Sequence, residues 1–313
     1  MTLPSDGSIS FSQINLEMGR PANASYSLND SDIRKLASVG GTEIQTNSKT
    51  IIPFSSLRGH AWNVVTINSV VTNYSFLAPA PGKTYGVLNI TGSGVIGSTY
   101  VGGYALTLQS TTGDLFTVQN GGIIAGAGGN GAHGGASLTS GTPGGDAILI
   151  QKTLVGETQK QLGITPNVII QNSGVIGGGG GGGGGGQWVQ DTQKQHHVPI
   201  SGGGGGGGAG YVPGSAGGGG NAGGYGPGQA GQIGTLTTGG GAGQSCAGQG
   251  GGNGGNGGNL GQAGQTGADG RQGTGYGPRA YGTPGGAGGK AVVGATYLID
   301  GTISSGSVYG SIV

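Results

Sequence analysis

Residues able to do chemistry are sparse and poorly grouped. Downstream of residue 120 the carboxylates are Asp146, Glu157, Asp191, Asp269 and Asp300, each alone in its stretch. General acid–base catalysis needs carboxyl groups acting as a pair, and this spacing shows none. Asp191 and His197 lack a nucleophile to complete a triad. A metal at His196 and His197 would need a third ligand, and Cys246 is distant in sequence. Cys246 is the single cysteine, so it can form no intrachain disulfide and has no evident base beside it. Phosphate-loop spacing is absent despite the glycine content. No enzyme activity, cofactor or metal is expected. What remains is a set of aromatic and cationic side chains, Trp188, His196, His197, Tyr211, Tyr225, Tyr276, Arg279 and Tyr281. Trp, Tyr and Arg dominate binding hot spots because they offer large, rigid contact area. Trp188 reads either as a contact platform or as a lid over whatever lies beneath it.

These side chains interrupt a glycine tract from 121 to 289, in a chain with 84 glycines among 313 residues, where average usage would give roughly 22. Such density suits neither an ordinary helix nor an ordinary strand, since glycine costs backbone entropy and buries no side chain. From Gly252 to Gly273 glycine recurs at every third position, as it does from Gly214 to Gly226. Three is the period of the polyproline II conformation. Collagen is excluded because only 12 prolines occur, against the 15–20% or more that collagen carries. Unbroken runs at 177–186 and 202–208 predict interior segments that meet neighbours on every side. The expected fold is mainly β plus a polyglycine II helix bundle, a sandwich held by hydrogen bonds between neighbouring helices, with little regular α-helix. A flexible linker is the alternative. Ordering about 80 residues costs on the order of 100 kcal/mol against about 0.5–1.5 kcal/mol returned per hydrogen bond. Only near-complete pairing sustains such a bundle.

Residues 61–120 and 290–313 are expected to form a β platform. Strands are predicted at 62–71, 74–77, 85–90, 104–108 and 115–118, with others at 146–151, 167–171, 290–299 and 307–313. An echo links platform and tract: Asn89 to Gly97, Val118 to Gly126 and Ile170 to Gly177 each run from strand through a turn to Val-Ile or Ile-Ile and a glycine. Repeated junctions of this kind predict glycine segments that leave and rejoin one base.

Residues 1–60 hold much of the charge of a chain only 7% charged, with net charge +1. That balance offers no field for nucleic acid or an anionic membrane. Met1 to Phe11 shows no signal-peptide pattern, and no membrane span is expected. Short helices are predicted around 12–18 and 31–37, stable only when docked on something else. The domain division is therefore 1–60 attachment module, 61–120 platform, 121–289 glycine domain with tip loops, and 290–313 closing strands.

Gly7 to Asn15, Tyr26 to Asp30 with Ile33, Arg34 and Leu36, and Ile52 to Gly59 resemble segments recurring in tail and tail-tip proteins of tailed bacteriophages; His60 departs from the pattern, which has Lys after the glycine. That resemblance implies attachment through Phe11, Ile14, Leu28, Ile33, Leu36, Phe54, Leu57 and Arg58. The tract with its strand junctions resembles the glycine-rich distal adhesins of long tail fibres in T-even-like phages, although residues 1–60 do not match their attachment block. The implied fold is a polyglycine II sandwich whose tip loops bind a bacterial surface protein or polysaccharide. The implied partner is a trimeric tail-fibre or tail-tip protein, and the implied location is the virion after synthesis in the host cytoplasm. A structural or ice-binding polyglycine II protein is the competing reading, weakened by irregular, bulky inserts where an ice binder wants a flat Thr/Ala face.

Overall fold

The computed structural model describes residues 8–17, 21–25, 27, 62–78, 85–110, 115–135, 139–152, 167–190, 199–220, 226–246, 250–270, 281–304 and 306–313. Of the attachment candidates, Leu28, Ile33, Leu36, Phe54, Leu57 and Arg58 lie outside them. Phe11 and Ile14 belong to α1 (Phe11–Glu17). Ser10 and Gln13 cap it reciprocally: the Gln13 N–H donates to Ser10 Oγ at 3.2 Å and the Ser10 N–H to Gln13 Oε1 at 2.7 Å. This is a capping box in its Ser-x-x-Gln form. Ile14 is buried while Phe11 is exposed.

The β region is a parallel coil with successive turns stacked in register. Its turns run β1 (Trp62–Ile67), β2 (Val70–Thr72), β3 (Tyr74–Ala78); then β4 (Tyr85–Ile90), β5 (Val95–Gly97), β6 (Tyr104–Ser110); then β7 (Leu115–Asn120), β8 (Ile123–Ala125), β9 (Asp146–Ile150). The next turn begins with β10 (Asn167–Asn172) and β11 (Val175–Gly177). It departs through β12 (Val189–Gln190) and β13 (Pro199–Ile200), returns as β14 (Val292–Val293), and is followed by β15 (Leu298–Ser304) and β16 (Ser307–Tyr309). First strands of each turn form one sheet, β1-β4-β7-β10-β15; second strands form β16-β11-β8-β5-β2; third strands form β14-β9-β6-β3. Alternating apolar residues of all three sheets, among them Leu88, Ile96, Leu106, Val118, Ile124, Ile148, Ile170 and Val292, meet in one core. Strands inside the glycine region, β9 to β11, are thus part of the same body as those at 62–110 and 292–309.

The repeated junction is one corner of this coil, stacked. Gly97, Ala125 and Gly177 are register partners. At that corner the first turn of the coil spends a single residue, Asn73, in the left-handed region at φ 47, which Asn tolerates better than most. The second turn spends Ser98 to Gly103. The third inserts residues 126–145 and the fourth residues 178–291. Glycine excursions are therefore insertions at a corner, where added chain leaves the sheets intact.

Both excursions consist of glycine-rich segments lying side by side and joined by backbone hydrogen bonds. Segment 177–187 is central. Its N–H groups donate in threefold rotation: Gly179 and Gly182 to segment 141–145, Gly180, Gly183 and Gly186 to segment 201–210, and Gly181, Gly184 and Gln187 to segment 261–270. Its carbonyls accept from segment 126–135 through Gly180, Gly183 and Gly186, from segment 250–258 through Gly181, Gly184 and Gln187, and from segment 281–289 through Gly179, Gly182 and Gly185. Between Gly179 and Gln187 the one N–H outside this scheme, that of Gly185, donates to Thr283 Oγ1 at 2.7 Å, and the Gly178 N–H donates to Tyr309 O of the coil. Segment 201–210 is enclosed likewise, by segments 126–135, 177–187, 214–220, 226–235, 239–246 and 250–258. Between Gly179 and Gly186 every backbone donor and acceptor is paired, which a buried backbone requires. A side chain has no room there: a Cβ at Gly180, Gly181, Gly182 or Gly183 would strike the carbonyls of Gly258, Gly286, Asn130 and Gly255 respectively.

One sequence feature is corrected. The period-three run from Gly252 to Gly273 is not one segment, because the chain reverses at Asn259 to Gly261, where Gly261 takes φ 67.

Candidate binding surface at the far end of the glycine array

Segments alternate in direction, so their turns sort to two ends. Gly126 and Gly177 enter the array from β8 and β11. The turns at 211–213, 235–238 and 259–261 lie at this near end, where Tyr211 N–H donates to Gly126 O and Gly261 N–H to Gly178 O. At the opposite end Gly135 meets Gly186, Gly220 meets Gly202, Cys246 meets Ser201, and Gly252 meets Gln187. The described chain on either side of 136–138, 191–198, 221–225, 247–249 and 271–280 ends there. Hence the inserts carried by the glycine segments leave from one face, at most roughly 30 Å from the β coil by extended-chain reach, whereas residues 153–166 connect β9 to β10 of the coil.

Trp188 stands at this far end, half-buried, immediately before β12. The insert has a stem, the antiparallel pair β12 and β13 with Val189 opposite Ile200. Val189, Ile200 and Cys246 form a small buried cluster of their own, so the cysteine serves packing. The Trp188 N–H donates to Gln187 Oε1 at 3.2 Å, and Gln187 is buried. A Cβ on Gly270 would meet Val189 Cβ at 3.2 Å, so the foot of the 271–280 insert lies against that stem. Asp269 ties its two feet together, its Oδ1 accepting the Gly282 N–H at 2.9 Å. Tyr281, at the second foot, is 67% exposed. His196, His197, Tyr225, Tyr276 and Arg279 lie outside the described residues, in spans whose flanking segments end at this same face.

Tyr211 is elsewhere. Although it too is a binding candidate flanking an unbroken glycine run, one complete segment, 201–210, separates it from Trp188 and carries it back to the near end. Its ring covers Gly97, where a Cβ would collide with it, and Leu260 covers Gly177 in the same manner, with its Cδ1 3.0 Å from a Cβ built there. Counting chain reversals would have placed Tyr211, since each uninterrupted glycine run crosses the array once.

Sequence reasoning also missed the polar side chains that finish the outer surface. Asn253, Asn256 and Asn259 each accept a backbone N–H from segment 239–246, those of Ser245, Ala242 and Gly239 at 2.9, 2.8 and 3.1 Å. Across the array Asn130 accepts from Ser215 and His133 Nδ1 from Gly218. Their three-residue spacing was the available signal. Among the described residues no group of three His, Cys, Asp or Glu could hold a metal ion.

No curated protein matches the chain in sequence. The crystal structure of the gp37-gp38 adhesin tip complex of the bacteriophage S16 long tail fiber is similar at 21% identity over 99% of this chain and 100% of that one, with a TM-score of 0.44. Residues 59–313 match the family described as phage tail fibre adhesin Gp38. With its sheets, its glycine array and its inserts gathered on one face, the chain belongs to the Gp38 family of phage tail-fibre adhesins, virion proteins that bind receptors and do not catalyse.

Proposed function

We propose that the far face of the glycine array is the host-recognition surface, formed by Trp188, His196, His197, Tyr225, Tyr276, Arg279 and Tyr281, with a bacterial outer-surface protein or polysaccharide as receptor. The observation carrying this reading is the sorting of long inserts to one end of the array, opposite the β coil. A rigid scaffold with variable loops is the usual economy of binding proteins. Tyr211 is reassigned to closing the junction between coil and array. The array itself is a polyglycine II bundle: donors rotating among three neighbours with a three-residue repeat support a three-residue turn, as does the absence of bonds within a segment.

Residues 1–60 attach the adhesin to a phage tail-fibre or tail-tip protein, a trimer, through Phe11, Ile14, Leu28, Ile33, Leu36, Phe54, Leu57 and Arg58. Supporting this, β1, β2 and β3 are edge strands of three sheets around one core, so the end of the coil that follows residues 1–60 presents three edges to a three-chain partner. The β coil, which draws β8 to β11 from within 121–289 as well as the strands of 61–120 and 290–313, then serves as the platform, and the glycine segments inserted at its corner serve as the recognition domain. A variant beginning at Ala61 should fold yet fail to join the particle; aggregation of that variant would overturn the boundary.

Cell adsorption and melting temperature measured together on Trp188→Ala, Tyr281→Ala and a variant lacking 191–198 test the recognition surface. Loss of a hot-spot side chain costs about 2 kcal/mol or more, roughly thirtyfold in affinity, with melting nearly unchanged. Normal adsorption by all three would remove recognition from this face. A lid role for Trp188 would instead lower stability by about 3–5 kcal/mol.

A further inference from the structure

On the β coil, at the corner between first and second strands and not at the corner that releases the glycine array, the C-terminal ends of β4, β7 and β10 border a groove of about 360 Å³ lined by Asn89, Ile90, Thr91, Gln119, Asn120, Gly121, Gln171, Asn172 and Ser173. Its size falls within the roughly 300–1,000 Å³ of small-ligand sites. Asn89, Gln119 and Gln171 are register partners on adjacent strands, which sets them about 4.8 Å apart in a row.

The floor and the rim of this groove differ. Beneath, Asn120 and Asn172 are buried and committed: Asn120 Nδ2 donates to Asn172 Oδ1 at 2.8 Å and to Val175 O at 3.1 Å, while its Oδ1 accepts the Gly122 N–H at 3.1 Å. Above, hydrogen-bonding capacity is left over. Gln119 Nε2 donates to Gln171 Oε1 at 3.3 Å, which leaves Gln119 Oε1 as an acceptor and Gln171 Nε2 as a donor. The Asn89 amide has no partner among the described residues. Thr91 and Ser173 donate to the carbonyls of Ile67 and Asn120 and keep lone pairs to accept. The rim is therefore a fixed row of neutral groups that both donate and accept, held by a satisfied floor.

That chemistry selects its ligand. Among the described residues no charged side chain lines the groove, so an ionic ligand would lose its hydration without a counter-ion. A peptide could not add as a strand, because β4, β7 and β10 are interior to their sheet and their backbone bonds are taken. Neutral hydroxyl-rich molecules present donors and acceptors at every position. We infer that this groove is a second binding site, for a neutral saccharide, separate from the recognition surface at the far end of the array.

The test is binding of the full chain to an array of neutral hexose and N-acetylhexosamine oligosaccharides, with sialylated oligosaccharides alongside. Neutral glycans should be retained and sialylated ones not. Asn89→Ala and Gln171→Ala should each weaken retention about three- to tenfold, with melting nearly unchanged because the Asn89 amide has no partner among the described residues and Gln171 gives up only one exposed bond at 3.3 Å. The variant lacking 191–198 should bind these glycans normally, which separates this site from the far face. Failure to retain any neutral glycan would overturn the inference, as would retention unaffected by both groove variants or lost with the 191–198 deletion.

Discussion

At the residue scale the molecule depends on what glycine lacks. Gly182 lies within a bonded lattice, and a methyl group there would be driven into the Asn130 carbonyl oxygen, itself held by the Thr142 N–H. Overpacking costs about 1–3 kcal/mol where neighbours can shift; backbone bonded on both sides cannot. Gly182→Ala should therefore destabilise by more than about 3 kcal/mol in denaturant titration, while Gly92→Ala, whose new atom would find nothing nearer than 3.8 Å, should stay within about 0.5 kcal/mol of the parent. Equal effects would contradict the close packing of the central segment. Asn120 offers a second test. Its removal strands the Gly122 N–H inside the coil corner and takes one donor from Asn172 Oδ1, so Asn120→Ala should cost about 1–3 kcal/mol in the same measurement.

At the element scale, composition reports neighbourhood. Segments 177–187 and 201–210 are enclosed on six sides and are almost pure glycine. Segment 250–258, with a free outer face, repeats Gly-Gly-Asn; segment 261–270, at an edge, repeats glycine once in three, with Gln262, Ala263, Gln265 and Thr266 exposed. Substitution should follow the same rule: Thr266→Tyr should leave the melting temperature unchanged, whereas Gly267→Ala, aimed at the Gly185 carbonyl, should lower it. The β12–β13 stem is a further element with its own core. Ile200→Asp would bury a carboxylate against Val189 and Cys246, which should free the stem. Amide exchange should quicken at Val189 and Cys246 while β7 and β10 keep their protection, and adsorption should fall. Loss of protection throughout the coil would mean that the stem is not a local unit.

At the scale of the whole molecule, the β coil is the frame and the glycine array an insertion that the frame aligns. Every added segment packs beside one already placed, so the ordering cost of each is offset by bonds to existing neighbours. Exchange protection should accordingly be graded: strongest in 179–186 and 203–209, weaker in 214–220 and 226–235 at the periphery. Uniformly fast exchange across 126–289 would refute an ordered array.

Much of this was legible in the sequence because it is local. Alternating apolar residues marked most of the longer strands, although 62–71 divides into β1 and β2 and 290–299 into β14, a 3-10 turn at Ala295–Tyr297 and the start of β15; glycine spacing marked which segments are interior, since a side chain and a backbone neighbour cannot share one place. The scattered carboxylates excluded paired acid–base chemistry. Tertiary structure alone decided direction and stacking. The echo of Val-Ile-Gly motifs became one corner of a parallel coil only when the strands paired, because register is a relation between distant segments. The run from Gly252 to Gly273 kept its period through a reversal at Gly261, since periodicity records faces and not direction. Trp188 and Tyr211 each flank a glycine run, yet they stand at opposite ends. Which end a flanking residue reaches depends on how many times the chain has crossed the array, and that count starts at the corner from which the coil releases it.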